Sequence, residues 1–270
     1  RDINQTKREL FGQTTHNLIP VNGINELFEI CRQKQYDIFI NDILNTSADY
    51  MIALRNVLPA AKIINFEDDG EGSHYANAVF NALYENSEHK NIYAGYEYYS
   101  CAKPFLFFEP ININDTVKNV LITFGGADPM NYTERLLDII EKDDYKDFNF
   151  TIVLGKAKEE NDIITRASDY ENITVLKNVP NMAEVMSAND IAITSRGRTG
   201  YELAILGGPT IAMAQNKREA QHGFISEENG FEYLGLDPSD EIIEGSLRTF
   251  LGLSKETREK LKARMLSKDL

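Results

Sequence analysis

Residues 117–141 read VKNVLITFGGADPMNYTERLLDIIE, and this stretch decides the fold. An apolar, β-branched run ends in Gly125-Gly126, and an amphipathic stretch with polar residues at its start follows. The order predicts a buried strand over Val117–Phe124, a tight turn, and a helix over Asn131–Glu141. Strand, turn and helix in this sequence form the repeating unit of an α/β protein with a largely parallel sheet.

The same alternation continues toward the C-terminus. Further strands are predicted at Phe150–Leu154, Ile173–Leu176, Asp190–Thr194 and Pro209–Ala214. Further helices are predicted at Glu159–Ser168, Met182–Ala188, Gly200–Leu206, Glu219–Glu228, Asp240–Leu251 and Lys255–Leu266. Residues 117–270 therefore read as one doubly wound unit.

The N-terminal half follows the same plan. Its predicted strands are Asn17–Val21, Asp37–Asn41, Lys62–Phe66 and Ala78–Asn81, and its predicted helices are Ile24–Lys34 and Ser47–Leu58. A polar, proline-containing segment, Glu109–Asp115, separates the two halves. We expect two Rossmann-like domains, residues 1–112 and 113–270, with a cleft between them.

Composition limits the classes of function. The 270 residues are 42% hydrophobic and 26% charged, and no apolar run approaches 18 residues, so a soluble globular protein without a membrane span is expected. The net charge of −14 repels nucleic acid. Cys31 and Cys101 form no C-x-x-C motif, which favours a reducing cytoplasm. No two of the four histidines have metal-ligand spacing, so neither a metal nor a cofactor is expected.

A second glycine-bearing turn, residues 194–202, follows the strand predicted at Asp190–Thr194. From Ser195 to Arg218 four basic residues stand against one acidic residue, a local net of +3 in a chain of net −14. Main-chain N–H groups at a helix start and arginine side chains both stabilise phosphate oxygens. The pattern predicts a phosphate or diphosphate site at the two glycine turns. The alternative is an ordinary solvated basic face.

Glu202 bears on this choice. If Gly200 opens the helix, Glu202 lies in the first turn, where its carboxylate can accept hydrogen bonds from vicinal hydroxyls such as those of ribose. A first-turn glutamate also favours the helix dipole without any ligand. Neither turn is a G-x-G-x-x-G fingerprint or a G-x-x-x-x-G-K-[ST] loop, so a dinucleotide fold and a P-loop nucleotidase are disfavoured.

Three other features have both a functional and a structural interpretation. His222 either reaches the cleft or lies on the surface of a helix with Glu219. The aromatic residues between Tyr93 and Phe108 either stack on a sugar or base or belong to the core. The segment Asp68–Glu71 provides paired carboxylates or forms a polar turn.

Three segments of the sequence resemble the UDP-sugar hydrolases of pseudaminic acid biosynthesis and the related spore coat polysaccharide biosynthesis proteins. These segments are Leu121–Pro129, Ile193–Leu203 and Pro209–Asn216. Both groups are similar to the glycosyltransferase that completes lipid II, which has a two-domain GT-B fold. The resemblance runs from about Tyr36 to Leu236 and includes Phe39–Asp42 and Asn65–Asp68 in the first half.

The resemblance implies a UDP-sugar in the cleft between the domains. It places the backbone near Val179 at uracil and Glu202 at the ribose. The residues implied at the diphosphate are Gly125, Gly126, Ser195, Arg196, Gly197 and Thr199, with Asp128 of the first glycine turn counted among the binding residues. Gln215 and Asn216 are expected near the phosphate or the sugar. Asp42 and Asp68 are the catalytic candidates from the other domain.

One departure from the family pattern limits the catalytic interpretation. The hydrolases carry a histidine in a G-x-G-H-x-x-R loop after their first strand, and this sequence contains no such loop. His16 precedes a predicted strand instead of following one. The first βα unit of the N-terminal domain, and with it the catalytic histidine, is therefore expected to lie outside this chain.

Three functions remain open at this point. The first is a hydrolase that releases UDP from an activated amino or deoxy sugar in surface glycan biosynthesis. The second is a GT-B glycosyltransferase that uses a UDP-sugar donor. The third is a non-catalytic nucleotide-sugar-binding module, with other domains of a larger biosynthetic protein as its partners.

Overall fold

A computed structural model of the chain describes residues 19–85, 89–155, 158, 161–177, 179–268 and 270. The chain divides into two compact units. The first unit comprises residues up to Phe80 together with His89–Ile92, and the second begins with Asn81 and continues from Tyr93 to Leu270. Among the described residues, no helix has the length and apolar character needed to cross a membrane.

The first unit is built on a small sheet. Its strands are β1 (Ile38–Asp42), β2 (Lys62–Phe66), β3 (Ala78–Asn81) and β4 (Ile92–Ala94), in the order β1-β2-β3-β4. Strands β1, β2 and β3 are parallel. Helices α1 (Ile24–Arg32) and α2 (Ala48–Val57) cover the sheet through a core that includes Phe28, Cys31, Met51, Leu54, Ile63 and Val79.

The second unit is a six-stranded parallel sheet. Its strands are β5 (Asn119–Thr123), β6 (Asn149–Leu154), β7 (Ile173–Lys177), β8 (Ile191–Ser195), β9 (Thr210–Ala214) and β10 (Phe231–Leu236). The order across the sheet is β10-β9-β8-β5-β6-β7. Counted within the unit, this is the Rossmann order 3-2-1-4-5-6. The order reverses between β5 and β8, which pair directly with Thr123 opposite Thr194. Ligands bind beyond the carboxyl ends of the strands at such a reversal.

Helices cover both faces of this sheet. They are α3 (Tyr132–Ile140), α4 (Asn161–Ala167), α5 (Met182–Ser187), α6 (Arg198–Leu206), α7 (Asp240–Leu251) and α8 (Lys255–Leu266). Side chains alternate along each strand, so Val120 and Ile122 enter one core and Leu121 enters the other. The strands are buried on both faces, which explains their continuous apolar sequence.

Most predicted elements are confirmed to within two residues at each end. The strand predicted at Asn17–Val21 is wrong in its described part, because residues 19–21 have no regular structure. Pro20 has no N–H to donate to a sheet. Residues 17 and 18, like His16, lie outside the described residues. Strands β4 and β10 were not predicted.

The helix predicted at Glu219–Glu228 is also wrong. Only a short 3-10 turn, Glu219–Gln221, forms there. The carbonyl groups of Ala220 and Ile225 accept hydrogen bonds from the Arg196 side chain, so this segment is held by tertiary contacts. Local periodicity carries no information about such contacts.

The compact units divide the chain earlier than the boundary predicted at 112/113. Phe105, Ile111 and Ile113 are buried in one core cluster with Leu121 and Leu203 of the second unit. The polar segment around Pro110 therefore lies inside the second unit, because residues before this segment already pack in the core of that unit.

Candidate functional site

A cavity of ≈ 210 Å³ lies in the second unit. It is lined by Thr123, Gly125, Gly126, Val153, Leu154, Gly155, Val179, Met182, Thr199 and Glu202. Thr123 and Leu154 are the last residues of β5 and β6, so the cavity lies beyond the carboxyl ends of the strands. Five residues predicted for the site from the sequence come together here: Gly125, Gly126, Val179, Thr199 and Glu202.

The first glycine turn presents bare backbone to this cavity. Gly125 has φ +72°, a conformation that L side chains rarely adopt, and no atom lies within 4 Å of where a Cβ would stand on Gly125 or Gly126. Gly155, at the end of β6, was missed from the sequence. A Cβ on Gly155 would lie 1.9 Å from the Gly125 carbonyl oxygen, so only glycine lets the two strand ends approach. Its position directly after a strand, like that of Gly125, was the available signal.

Asp128 lies at the start of α3. Its carboxylate accepts hydrogen bonds from the main-chain N–H groups of Tyr132 (3.0 Å) and Thr133 (2.9 Å). The residue is buried, and Nζ of Lys158 lies 3.4 Å from its Oδ2. The chain's own carboxylate therefore occupies two N-terminal amides of α3, and contact of Asp128 with a ligand stays a prediction.

The start of α6 is open by comparison. Gly197 is the N-cap and provides no side-chain hydrogen bond. Its carbonyl oxygen accepts from the Gly200 N–H (3.1 Å), and the Thr199 N–H has no hydrogen-bond partner among the described residues. Such amides, at the positive end of the helix dipole, are a ready site for an anion. Thr199, in the first turn, lines the cavity. Of the two helix starts predicted to bind diphosphate, α6 is the one available.

The helix begins at Arg198 and not at Gly200, so Glu202 lies in the second turn. The interpretation of Glu202 as a first-turn dipole residue is therefore wrong. Gly200 has a packing role, because a Cβ there would lie 2.2 Å from Cδ1 of Ile225.

Glu202 is half-buried in the wall of the cavity. Burial raises the pKa of its carboxyl group to about 7, and the nearby positive charge of Arg198 acts in the opposite direction. An ionised Glu202 has acceptors for two hydroxyl groups. Protonation near neutral pH removes part of that capacity.

The arginine side chains have protein partners. The Arg196 guanidinium donates to the carbonyl oxygens of Ile225 (3.2 Å) and Ala220 (2.7 Å) and lies 3.8 Å from the ring centroid of Tyr233. Arg198 donates to the carbonyl oxygen of Ser100 (2.8 Å). The fork of Arg196 is thus engaged within the unit.

Arg218, the remaining arginine of the basic stretch, donates from Nε to the hydroxyl of Tyr84. Lys217 is exposed. The local net charge of +3 therefore does not correspond to a set of side chains converging on the cavity.

Gln215 joins two strand ends, and Ser195 and Asn216 lie beside it. Nε2 of Gln215 donates to the carbonyl oxygen of Phe124 (2.9 Å), which joins the end of β9 to the end of β5. Oε1 of Gln215 is buried and has no hydrogen-bond partner in the described part of the chain. Oδ1 of Asn216 accepts from the N–H of Glu219 at 2.9 Å. Ser195 is buried as the last residue of β8.

Val179 lies on the cavity wall in a loop between β7 and α5. Across the described ranges, its main chain makes no hydrogen bond. Its N–H and C=O groups are therefore available to the polar edge of a planar base. This is the feature expected of a residue that meets uracil.

Asp68, a catalytic candidate in the first unit, has a structural role. It is fully buried, and Oδ1 accepts from the N–H groups of Thr46 (2.8 Å) and Gly70 (3.0 Å). Oδ2 accepts from Thr46 Oγ1 (2.5 Å) and Asn65 Nδ2 (2.6 Å). The carboxylate thus organises the polar turn that follows β2. Asp42 is exposed at the end of β1 and stays a prediction.

His222 is neither exposed nor helical. It is buried, and Nδ1 lies 2.7 Å from the carbonyl oxygen of Arg196. The aromatic residues before Pro110 are divided between core and surface, because Tyr93, Tyr98 and Phe107 are exposed. Tyr99 stacks on Tyr201, with ring centroids 4.5 Å apart, and Phe105 is buried. No group of three or more metal-binding side chains exists among the residues that the structure describes.

Comparison with known proteins supports the fold and little beyond it. No family profile matches the chain. The uncharacterized protein MJ1062 of Methanocaldococcus jannaschii is 32% identical over 227 residues, which cover 76% of this chain and 46% of that protein. The chain thus spans about half the length of the curated relative that it matches.

Solved structures extend the comparison. Anabaena HepE in complex with UDP-glucose matches 90% of this chain and 77% of its own, at 11% identity and a TM-score of 0.61. Acinetobacter baumannii MurG matches 90% and 73%, at 14% identity and a TM-score of 0.60. The rhamnosyltransferase SpnG, complexed with thymidine diphosphate, matches 90% and 73%, at 14% identity and a TM-score of 0.58.

These neighbours are GT-B glycosyltransferases. The chain accordingly has a GT-B-like α/β fold with parallel sheets, and the fold expected from the sequence is confirmed. Identities of 11–14% establish the fold alone. The resemblance to UDP-sugar hydrolases is not confirmed.

Proposed function

We propose that the second unit binds the UDP part of a UDP-sugar, and that the protein transfers the sugar to an acceptor hydroxyl. The observation that carries the proposal is the open start of α6 at the point where the strand order reverses, with Thr199 and Glu202 on the wall of one cavity. HepE, which has the same fold, was solved with UDP-glucose.

Each part of the ligand has a matching group. The diphosphate lies against the amides at the start of α6 and the bare backbone of Gly125 and Gly126. Vicinal ribose hydroxyls donate to Glu202, and the base meets the main chain of Val179. The cavity is lined mainly by apolar atoms around these polar groups, as is usual for a nucleotide site.

In the transfer step, the acceptor oxygen attacks the anomeric carbon and the bond from that carbon to the diphosphate oxygen breaks. The acceptor loses its proton, and UDP leaves with the bonding electrons. Negative charge grows on the departing diphosphate during this step. Preorganised amides at the start of α6 stabilise that charge and thereby lower the barrier.

Transfer is preferred over hydrolysis because the structural neighbours include a named rhamnosyltransferase, SpnG. The same bond breaks in both reactions, and only the attacking oxygen differs. The experiment incubates the intact protein with a panel of UDP-sugars, with and without acceptor glycans. UDP released only when an acceptor is present supports transfer.

Free sugar formed without acceptor would overturn transfer in favour of hydrolysis. Tight UDP binding with no turnover under either condition would favour a binding module. Calorimetry with UDP, UMP and uridine tests the binding part separately. We expect affinity to fall along that series, because each phosphate removed loses hydrogen bonds to the α6 amides.

A further inference from the structure

Two segments of the second unit are joined by hydrogen bonds beside the start of α6. The Arg196 side chain donates to the carbonyl oxygens of Ala220 and Ile225, which flank His222 on either side. The His222 ring lies against the Arg196 carbonyl oxygen in return, with Nδ1 at 2.7 Å. Three hydrogen bonds thus tie the turn after β8 to the segment after β9.

The chemistry of this contact defines the tautomer of His222. A carbonyl oxygen only accepts hydrogen bonds, so Nδ1 must carry the proton. Nε2 is buried without a hydrogen-bond partner among the described residues, and His222 is only 4% exposed. Burial lowers the pKa of the imidazole, the hydrogen bond to the Arg196 carbonyl raises it, and the positive charges of Arg196 and Arg218 lower it, with a lowered pKa as the net result. The ring is therefore neutral, with Nδ1–H as its one donor.

The position of the ring is itself restrained. Tyr84 packs edge-on against it, with centroids 5.3 Å apart. Ile225, at the end of the same segment, presses on Gly200 of α6 so closely that no Cβ fits there. The Nδ1–H donor of His222 is thus held in one position by these contacts.

The peptide between Arg196 and Gly197 is the element that this donor controls. The described peptides include no cis bond, and in a trans peptide the C=O and the following N–H point in opposite directions. Fixing the Arg196 carbonyl toward His222 therefore fixes the Gly197 N–H away from it. Gly197 has no side-chain cap and, as a glycine, offers little resistance to rotation of that peptide.

We propose that His222 is a positioning residue: its Nδ1–H holds the Arg196 carbonyl so that the Gly197 N–H joins the amides of α6 in binding a diphosphate. This inference rests on the proposed function. In this inference the buried histidine touches no substrate itself. It controls the orientation of one of the N–H donors that contact the diphosphate. No signal in the sequence marks this role.

The test compares His222→Asn with His222→Leu. These side chains have nearly the same size, and the Asn amide N–H can replace the donor at Nδ1 whereas Leu cannot. We expect His222→Leu to weaken UDP binding about tenfold, the value of one hydrogen bond of about 1.4 kcal/mol, and His222→Asn to stay within about threefold of the wild type. Uridine affinity should not change in either variant.

Equal loss of UDP affinity in both variants, or equal loss for UDP and uridine, would overturn the proposal. Tyr145→Phe is the matched control, because it removes a hydrogen bond to Glu244 in a turn before the amino end of β6. We expect it to lower the melting temperature and leave the UDP affinity unchanged.

A measurement on the wild-type protein covers the case in which a His222 variant does not fold. Nitrogen-15 NMR should show the Nδ1–H tautomer of His222 and a large shift of the Gly197 amide on addition of UDP. An Nε2–H tautomer, or a Gly197 amide unmoved by bound UDP, would overturn the role of His222. Failure of the wild type to bind UDP would instead overturn the proposed function.

Discussion

Replacing Gly197 with aspartate should stabilise the protein and abolish most of its nucleotide affinity. Asp128 shows what such a residue does in this unit, because its carboxylate occupies the amides of α3. Gly197 has φ −122° and ψ −158°, an extended conformation open to any residue. The nearest atom to a new Cβ is Ser195 Oγ at 3.4 Å, so the substitution is sterically tolerated.

The two effects have opposite signs, and both follow from the same amides. An aspartate N-cap gains a few tenths of a kcal/mol over glycine, and its charge at the helix start adds about 0.3–1 kcal/mol. A gain of about 0.5–1 kcal/mol raises the melting temperature by about 1–4 °C in a unit of this size. The same carboxylate displaces and repels the diphosphate. Losing one charge-assisted hydrogen bond of about 1.5–3 kcal/mol weakens UDP binding by about 10- to 100-fold.

The assays are thermal unfolding and calorimetric titration with UDP. Gly197→Ala is the matched control, since it adds the Cβ without a cap and should leave UDP affinity within about threefold of the wild type. Gly197→Asn provides an uncharged cap, and its UDP affinity should lie between those of Gly197→Ala and Gly197→Asp. Gly197→Asp with unchanged UDP affinity, or with affinity and stability lost together, would refute the assignment of the α6 start as the anion site.

The remaining predictions concern Glu202 and Gly155 at the cavity, and Asp68 and Asp42 in the first unit. Because the pKa of Glu202 is raised to about 7 by burial, UDP affinity should rise as the pH passes upward through 7, and Glu202→Gln should lose that pH dependence in calorimetry. The same raised pKa means that Glu202 binds its proton more tightly in the folded protein, so its contribution to stability falls as the pH rises from about 4.5 to 7. At pH 8 the Glu202→Gln variant should therefore have a higher melting temperature than the wild type. Equal melting temperatures would contradict this pH dependence of stability. Gly155→Ala places a Cβ against the Gly125 carbonyl and should cost about 1–3 kcal/mol of stability in denaturant unfolding, together with UDP affinity. Asp68→Ala should destabilise the protein by about 1–3 kcal/mol or more because it leaves buried donors unpaired, whereas Asp42→Ala at an exposed position should not change the unfolding midpoint.

The elements of the fold were predictable because local pattern determines them. Helices α7 and α8 begin after Ser239 and Ser254, and the buried Ile243, Leu247 and Phe250 of α7 recur at helical spacing, so the start of each helix follows from the sequence. The segment 219–228 has helical spacing but gives its carbonyl groups to Arg196, and no local pattern indicates that partner.

The site was predictable only in its location. Two glycine turns after neighbouring strands marked the place where the strand order reverses, and the cavity lies there. The Arg196 side chain differs because its partners are distant in the sequence, and it reaches past the site to Ile225. Asp128 accepts from amides only four and five residues later, so its role at the start of α3 is a local one. A charged residue near a glycine turn of the kind that binds phosphate thus indicates where a site lies. It does not indicate which group contacts the ligand.

A titration of isotope-labelled protein with UDP, followed in amide proton–nitrogen spectra, shows which amides bind the diphosphate. We expect the largest shifts at the amides of Gly197, Thr199, Gly125 and Gly126, with little change at Lys217. Saturable UDP binding with those four amides unmoved, and with shifts elsewhere in the chain, would contradict it.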